Sequence, residues 1–559
     1  MSLNKWQKHL HIDRSRQITG ILVRHGWDYF LGSLSLGRFG ASSLAAGLGH
    51  RPEKSMSRPE HLRCALEEMG TTFIKLGQIL STRADLLPPE YLSELSKLQD
   101  SAKPVPFTEI QSALVSELGK PIESVFLDFD PEPLAAASIG QAHAATLPDG
   151  TEVVVKIRRP GVVEQVNEDL EILQELAARA SRHWEFADRY DLIGLVDEFS
   201  QTLRAELDYI REGHNAERFA ENFASETGIH IARVYWNTST SRVLTLERIR
   251  GTKINDLPAL DRQGIDRPSL ATFAAGVVMK MVCEDGFFHA DPHPGNFFIE
   301  SDGVIGLIDF GMVCVVDEPT QEHLADLLIS VNSQDADRLV DVFLDLGVSR
   351  KQVDRTLLRR DIDHLLSTYW GLPLSELRIG TLLDEVFTVM RRNRLHLPSN
   401  LALLLKTVIM IEGLGVNLDP NFHLTEVLAP YSERLILRRY SPFRLIRNIG
   451  RAGLDLARLG SEMPQQLRRI VSAAESGTLQ IGMRPEGVDA VVNRLERIAN
   501  RIVLGVIASA FIIGLAVLLS VYRPPGWEQW AWVAFAFGFL CALTLGIYLA
   551  TSILRSPHS

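Results

Sequence analysis

Two short stretches near the middle of the chain constrain its fold more than any other feature. HADPHPGN occupies residues 289–296 and IDFG residues 308–311, so Asp291 stands five residues before Asn296, and Asn296 thirteen before Asp309. An Asp, an Asn and a second Asp in this order, flanked by apolar strand-like runs, have the layout of a phosphoryl-transfer centre. The chemistry explains the residue types. Mg2+ is a hard cation that takes oxygen ligands and shares them with nucleotide phosphates. Asn296 and Asp309 are therefore the expected metal residues. Asp291 is the expected catalytic residue, orienting or accepting a proton from the attacking oxygen. The cofactors this implies are ATP and Mg2+.

Upstream, VVVKI sets Lys156 at the end of an apolar strand, where kinase folds carry their phosphate-binding lysine. A buried lysine needs an acidic partner. Glu206, in the helical stretch EFSQTLRAELDYIREGHNAERF, is the best candidate, although Glu198, Asp208 and Glu212 share that stretch. There is no G-x-x-x-x-G-K-[ST] loop, which argues against a P-loop nucleotidase. A glycine-rich loop ahead of Lys156 is also missing. The ATP-binding loop is expected instead over Leu134, Ala135, Ala136, Ala137, Ser138, Ile139, Gly140, Gln141 and Ala142. Alanine disfavours positive φ, so this loop should hold phosphates in an altered geometry. LERIRG (246–251) stands where an interlobe connector would meet adenine.

The surrounding pattern predicts an α+β, two-lobed kinase-like fold. Residues 59–105 read as a helical extension, with apolar residues at three- and four-residue spacing. Residues 106–250 form the smaller lobe: FLDFD, AHAAT and EVVVKI read as strands, LPDG (147–150) as a hairpin turn, and one long helix accompanies them. Residues 251–430 form a larger, mainly helical lobe, interrupted by FFIESDGVIGLIDFG, two short strands around a turn. Little can be read from residues 1–58.

Net charge is −11, which gives no reason to expect nucleic acid as a partner. The four cysteines form no CxxC pair, and the polar amino terminus lacks a signal-peptide core. The carboxyl end differs. Residues 502–522 and 531–554 carry no charge, and each is long enough to cross a hydrocarbon core of about 30 Å. The Pro524-Pro525-Gly526 reversal between them makes a transmembrane hairpin over 501–555. Arg494, Arg497, Arg501 and Arg555 outside the two spans put both ends in the cytoplasm. Residues 431–500 form a basic linker. Its 431–470 part holds nine arginines interleaved with apolar residues, suited to anionic lipid or to a solvated helix. The expected location is the cytoplasmic membrane, multi-pass, with the kinase-like part in the cytoplasm.

HADPHPGN with IDFG, the alanine-rich loop and FIKLGQ (73–78) together resemble the UbiB family of atypical kinase-like proteins, linked to ubiquinone biosynthesis. The resemblance covers roughly residues 59–430 and extends to the carboxyl-terminal hairpin. It implies that the extension carrying Lys75, Gly77 and Gln78 folds over the site where a protein kinase would bind its peptide. It implies too that Lys75 and Gln78 project into the active site, as a regulatory K-x-G-Q motif. Glu206 and Asp208 match the family's E-x-D pair, with Glu206 meeting Lys156. The resemblance further implies ATPase activity in support of quinone-modifying enzymes, with membrane lipid and quinone precursors or those enzymes as partners. Two alternatives stay open: a true phosphotransferase acting on a protein or small molecule, and a nucleotide-binding scaffold without turnover.

Overall fold

The computed structural model describes residues 3–26, 56–98, 103–183, 191–347, 353–369 and 378–439. The expected membrane hairpin and all but the first residues of the Arg-rich stretch lie outside the described residues. The chain divides into two compact units, Met1–Leu445 and Ile446–Ser559, and the described residues all belong to the first.

Among the described residues ten strands follow in chain order: β1 (Asp128–Ala136), β2 (Gly140–Thr146), β3 (Glu152–Arg158), β4 (Ile229–Ile231), β5 (Val243–Glu247), β6 (Thr252–Lys253), β7 (Phe287–His289), β8 (Phe297–Ile299), β9 (Ile305–Leu307) and β10 (Val313–Val315). The smaller lobe is an antiparallel sheet in the order β1-β2-β3-β5. Side chains alternate along a strand, and β3 uses this alternation fully. Val153, Val155 and Ile157 are buried in the lobe's core with Ile110, Leu114 and Phe126. Val154 and Lys156, between them, face the interlobe cleft. LPDG turns as expected, with the Gly150 N–H donating to the Leu147 carbonyl at 2.9 Å and Gly150 at φ +86°.

One expectation about this lobe needs correction. The stretch around Glu206 is not one helix but two, Leu192–Glu206 and Tyr209–Asn222. Asp208 takes an extended conformation and its side chain accepts the Ile210 N–H, capping the second helix. A short acidic side chain at this position offers the backbone an alternative to continued helix. The break therefore puts Glu206 at the end of one helix and Glu212 in the first turn of the next.

The larger lobe packs helices around Ser399–Leu418, whose Leu401, Leu404, Ile411 and Leu414 are buried. Among the described residues this is the one helix long and apolar enough to cross a membrane, but here it belongs to the lobe's core. A small sheet in the order β4-β9-β8-β6 and a β10-β7 ribbon line the lobe's cleft side. β8 and β9 form the expected antiparallel pair, closed by a turn in which Gly303 has φ +86°.

The extension comprises helices Arg58–Met69, Thr71–Leu80 and Pro89–Leu95. Ser57 and Glu60 make a reciprocal capping box at its start. The segment before it, opaque in sequence, contributes a helix over Leu3–Arg24. Ile18 and Ile21 of that helix are buried against Leu66, Phe73, Leu95 and Leu98. Arg14 also donates to the fully buried Asp169 at 2.7 Å and to the Met69 carbonyl at 2.7 Å. At the far end of the extension, Arg83 grips Asp85 with two hydrogen bonds of 2.9 and 2.8 Å. Arg83 also donates to the Leu397 carbonyl at 3.2 Å, and Asp85 accepts the Leu397 N–H at 3.1 Å. Arg83 and Asp85 are both buried, so this knot fastens the extension to the larger lobe.

Candidate active site

The register of the β8–β9 pair explains the thirteen-residue spacing. Phe297 pairs with Leu307, so the residues just outside, Asn296 and Ile308, flank the same end of the hairpin and bring Asp309 beside Asn296. HADPHPGN begins at His289, the last residue of β7, and turns through a short 3-10 segment, Pro294–Asn296, into β8. The Asp291 loop is held from within. The Asp291 N–H donates to His289 Nδ1 at 3.1 Å, and Asn296 Nδ2 donates to the Asp291 carbonyl at 3.1 Å. A ring nitrogen that accepts must be unprotonated, and burial, which pushes the His289 pKa down, keeps it so.

Asp291, Asn296 and Asp309 line one interlobe cleft of about 810 Å³ with Lys156, Glu206 and Lys75. Lys156 Nζ lies 2.5 Å from Glu212 Oε1 and 3.6 Å from Asp309 Oδ1. The expected Glu206–Lys156 pairing is therefore incorrect: Glu212 is the partner, because the helix break at Asp208 turns Glu212 towards β3. Burial opposes the Lys156 charge, but Asp309 and Glu212 more than offset it and hold its pKa above the usual lysine value. Burial likewise pushes the Glu212 carboxyl up against the pull of Lys156. Asp309 goes the other way. Burial would raise its pKa, yet Lys156 and the Gly311 N–H, which donates to Oδ1 at 2.9 Å, hold it well below the carboxylate range. It is ionised at any physiological pH.

Glu206 instead meets Lys75, whose Nζ lies 3.1 Å from its Oε2, with side chains 13% and 6% exposed. Lys75 thus enters the cleft from the extension, as the resemblance implied. Gln78 does not. Its amide donates to the Leu98 carbonyl at 3.3 Å and it is not part of the cleft lining. Gly77 faces away as well: a Cβ there would meet Leu98 at 2.2 Å and Leu66 at 2.9 Å, so its role is close packing within the extension.

The expected loop is shorter than its sequence suggested: Leu134, Ala135 and Ala136 belong to β1 and Gly140, Gln141 and Ala142 to β2, which leaves Ala137, Ser138 and Ile139 as the connection. Leu134, Ala135, Ala137, Ile139, Gly140, Gln141 and Ala142 line the cleft, while Ala136 and Ser138 do not, and Ser138 is buried. Gln141 has its amide engaged with both backbone groups of Val105. No residue from 134 to 142 has positive φ, in keeping with the alanine content. The loop tip is tied down. Arg159 donates from Nε to the Ala137 carbonyl and from its backbone N–H to the Ile139 carbonyl, each at 2.9 Å. Gly140 is required by its neighbours, since a Cβ would lie 2.3 Å from the Tyr209 hydroxyl and 2.9 Å from the Ile157 carbonyl. Tyr209 itself is buried in the cleft wall, where burial and Glu212 keep its hydroxyl protonated. Residues 246–251 run along the cleft as the connector from β5 to β6.

Among the described residues no cluster of three or more His, Cys, Asp or Glu side chains could hold a metal alone. The cleft offers the Asp309 carboxylate and the Asn296 Oδ1, whose amide nitrogen is already engaged. That incomplete oxygen set fits Mg2+, which keeps few protein ligands and completes its shell with phosphate oxygens and water. Three residues of the site escaped sequence reasoning: Glu212 as the partner of Lys156, Tyr209 beneath the loop, and Lys406, whose Nζ lies 3.0 Å from Asp291 Oδ1. The Asp-Tyr step after Glu206 was a visible signal for the first two, since Asp favours a helix start. Nothing local marks Lys406.

Three family models match the chain: an ABC1 atypical kinase-like domain over residues 97–343, a UbiB helical domain over 362–423 and an ABC1/UbiB kinase-like C-terminal domain over 486–555. A probable protein kinase UbiB of Xanthomonas euvesicatoria pv. vesicatoria is 34% identical, covering 86% of this chain and 89% of the relative. The probable protein kinase UbiB of Xylella fastidiosa is also 34% identical, covering 83% and 86%. An uncharacterized protein in the hydrogenase 1 5′ region of Clostridium pasteurianum is 34% identical, covering 89% and 93%. A solved structure, the complex of Rv3197 with erythromycin from Mycobacterium tuberculosis, is 25% identical. It covers 65% of this chain and 92% of that chain at a TM-score of 0.46.

Proposed function

This chain belongs to the UbiB family of ABC1-type atypical kinase-like proteins, and we propose that it binds Mg-ATP in the interlobe cleft and hydrolyses it at a membrane surface in support of quinone synthesis. One observation carries the nucleotide reading: Lys156, Asp309, Asn296 and Asp291, far apart in sequence, line the same cleft. Lys156, kept charged by Glu212 and Asp309, binds the nucleotide phosphates. Asp309 and Asn296 Oδ1 would hold Mg2+, which when bound offsets phosphate charge. Asp291 orients the attacking oxygen and takes its proton. Lys75, entering from the extension and fixed on Glu206, fills the acceptor side, which favours water over a bulky acceptor. Membrane attachment rests on the charge-free residues 502–522 and 531–554, which fall within the match to the C-terminal family domain.

The test is phosphate release and radiolabel transfer measured on the same full-length protein, with and without lipid and quinone-like phenols. Slow, Asp291-dependent phosphate release with little labelled protein is expected. Efficient labelling of a protein or small molecule with negligible free phosphate would replace hydrolysis by phosphotransfer. Metabolite profiling of a deletion strain tests the pathway, with accumulation of early prenylated quinone precursors expected. Truncation after residue 501 should release the protein from membranes, and tight, salt-resistant binding of the truncated chain would refute the anchor.

A further inference from the structure

We propose that Lys406 is a positioning residue for Asp291, so that the helical region of the larger lobe completes the catalytic centre; this rests on the reading of the cleft as a Mg-ATP site. Ser399–Leu418 is an apolar helix with two charged residues, Lys406 and Glu412. Glu412 has a structural task. Its carboxylate oxygens accept the Ile379 and Gly380 N–H groups at 2.8 and 2.7 Å, at the start of helix Ile379–Asn393. Among the described residues Lys406 has no such partner in its own region. Its ammonium crosses to a loop 115 residues earlier and donates to Asp291 Oδ1 at 3.0 Å.

A lysine in the middle of a core helix is costly unless its charge meets a partner, and here that partner is the residue assigned to the attacking oxygen. Asp291 is then held at three points: its N–H by His289, its carbonyl by Asn296 and its Oδ1 by Lys406. This arrangement presents Oδ2 to the attacking group. In the reaction the water oxygen bonds to the γ-phosphorus as the bond to the β–γ bridging oxygen breaks. ADP leaves with that electron pair, the water proton passes to Asp291 Oδ2, and Lys406 keeps its own protons. Lys406 also sets a positive charge beside Asp291. HADPHPGN carries no lysine of its own, so the distant helix supplies the cation.

The experiment uses the full-length protein, with Lys406→Met and Lys406→Arg compared with the unsubstituted chain. Mg-ATP turnover and the Mg-ATP-induced rise in melting temperature are both recorded. Lys406→Met should lower kcat at least about tenfold. KM should stay within about twofold and the thermal shift should persist, because ground-state nucleotide binding is untouched. Lys406→Arg should recover part of the rate, and Lys406→Met should add little to an Asp291→Asn background. Unchanged kcat in Lys406→Met would overturn the inference alone. So would loss of the thermal shift together with turnover and without rescue by arginine, which marks a packing role. Absence of Mg-ATP turnover and thermal shift in the unsubstituted protein would instead remove the nucleotide reading, and this inference with it.

Discussion

Lys75 of the helical extension and Glu206 of the smaller lobe meet at 3.1 Å with both side chains largely buried. The pair joins two elements separated by more than a hundred residues, and both residues line the cleft. Its energy should be measurable. Lys75→Ala and Glu206→Ala, combined in a double-mutant cycle, should couple by about 0.5–3 kcal/mol in thermal or denaturant unfolding. Additive effects would mean that the contact does not hold the extension down.

Lys156 is served by Glu212, and the two carboxylates should separate cleanly on mutation. Removing one member of a buried pair costs about 3–5 kcal/mol when it strands the other charge, but here Asp309, 3.6 Å from Lys156, remains to face it. Glu212→Ala should therefore destabilise the smaller lobe by less than that and weaken the Mg-ATP thermal shift. Glu206→Gln should leave the shift largely intact. Equal loss in both would place Glu206 back beside Lys156.

Gly140→Ala should disturb the alanine loop more than any alanine-to-glycine exchange within it. The added methyl meets the Tyr209 hydroxyl and the Ile157 carbonyl, and overpacking of this kind costs about 1–3 kcal/mol. Tyr209→Phe, by removing the nearer obstacle, should restore part of the lost melting temperature. No recovery in the double variant would assign the clash to the β3 backbone.

His230 on β4 meets Glu300 through Nδ1 at 2.6 Å and Glu247 through Nε2 at 3.2 Å, linking the connector strand to the larger lobe's sheet. Burial lowers its pKa, but the two carboxylates more than offset this and the net shift is upward. A raised folded pKa contributes stability that is complete below the unfolded value of about 6.5 and is lost as pH rises through the folded one. The melting temperature of the protein should therefore exceed that of His230→Gln most at acidic pH, and the gap should narrow on the alkaline side. A constant gap across the titration would show that the imidazole acts without its charge.

The β3 alternation, the hairpin turns at Gly150 and Gly303, and the cleft positions of Asp291, Asn296 and Asp309 were all legible in the sequence. Each depends on short-range geometry: period two, a glycine at positive φ, or the register of one hairpin. Glu212 was visible as an acid but not as the partner of Lys156, because pairing depended on a helix break decided by one Asp208 cap. Lys406 was not legible at all, since 115 residues of chain and the packing of a whole lobe bring it to Asp291. The helix over Leu3–Arg24 escaped for a similar reason. The contacts that hold it are distant in sequence: Arg14 reaches Asp169, and Ile18 and Ile21 pack on the extension.

The Arg83–Asp85 knot has a mechanical implication. Because the extension is fastened to the larger lobe at Leu397 and to the smaller lobe through Lys75, it spans the hinge like a strut. The lobes cannot swing apart without either stretching that strut or unseating one of its feet. If the cleft binds nucleotide as proposed, whatever partner loosens a foot must then change the grip on it. Nucleotide must alter the hold of that partner by the same factor, since linked equilibria are reciprocal.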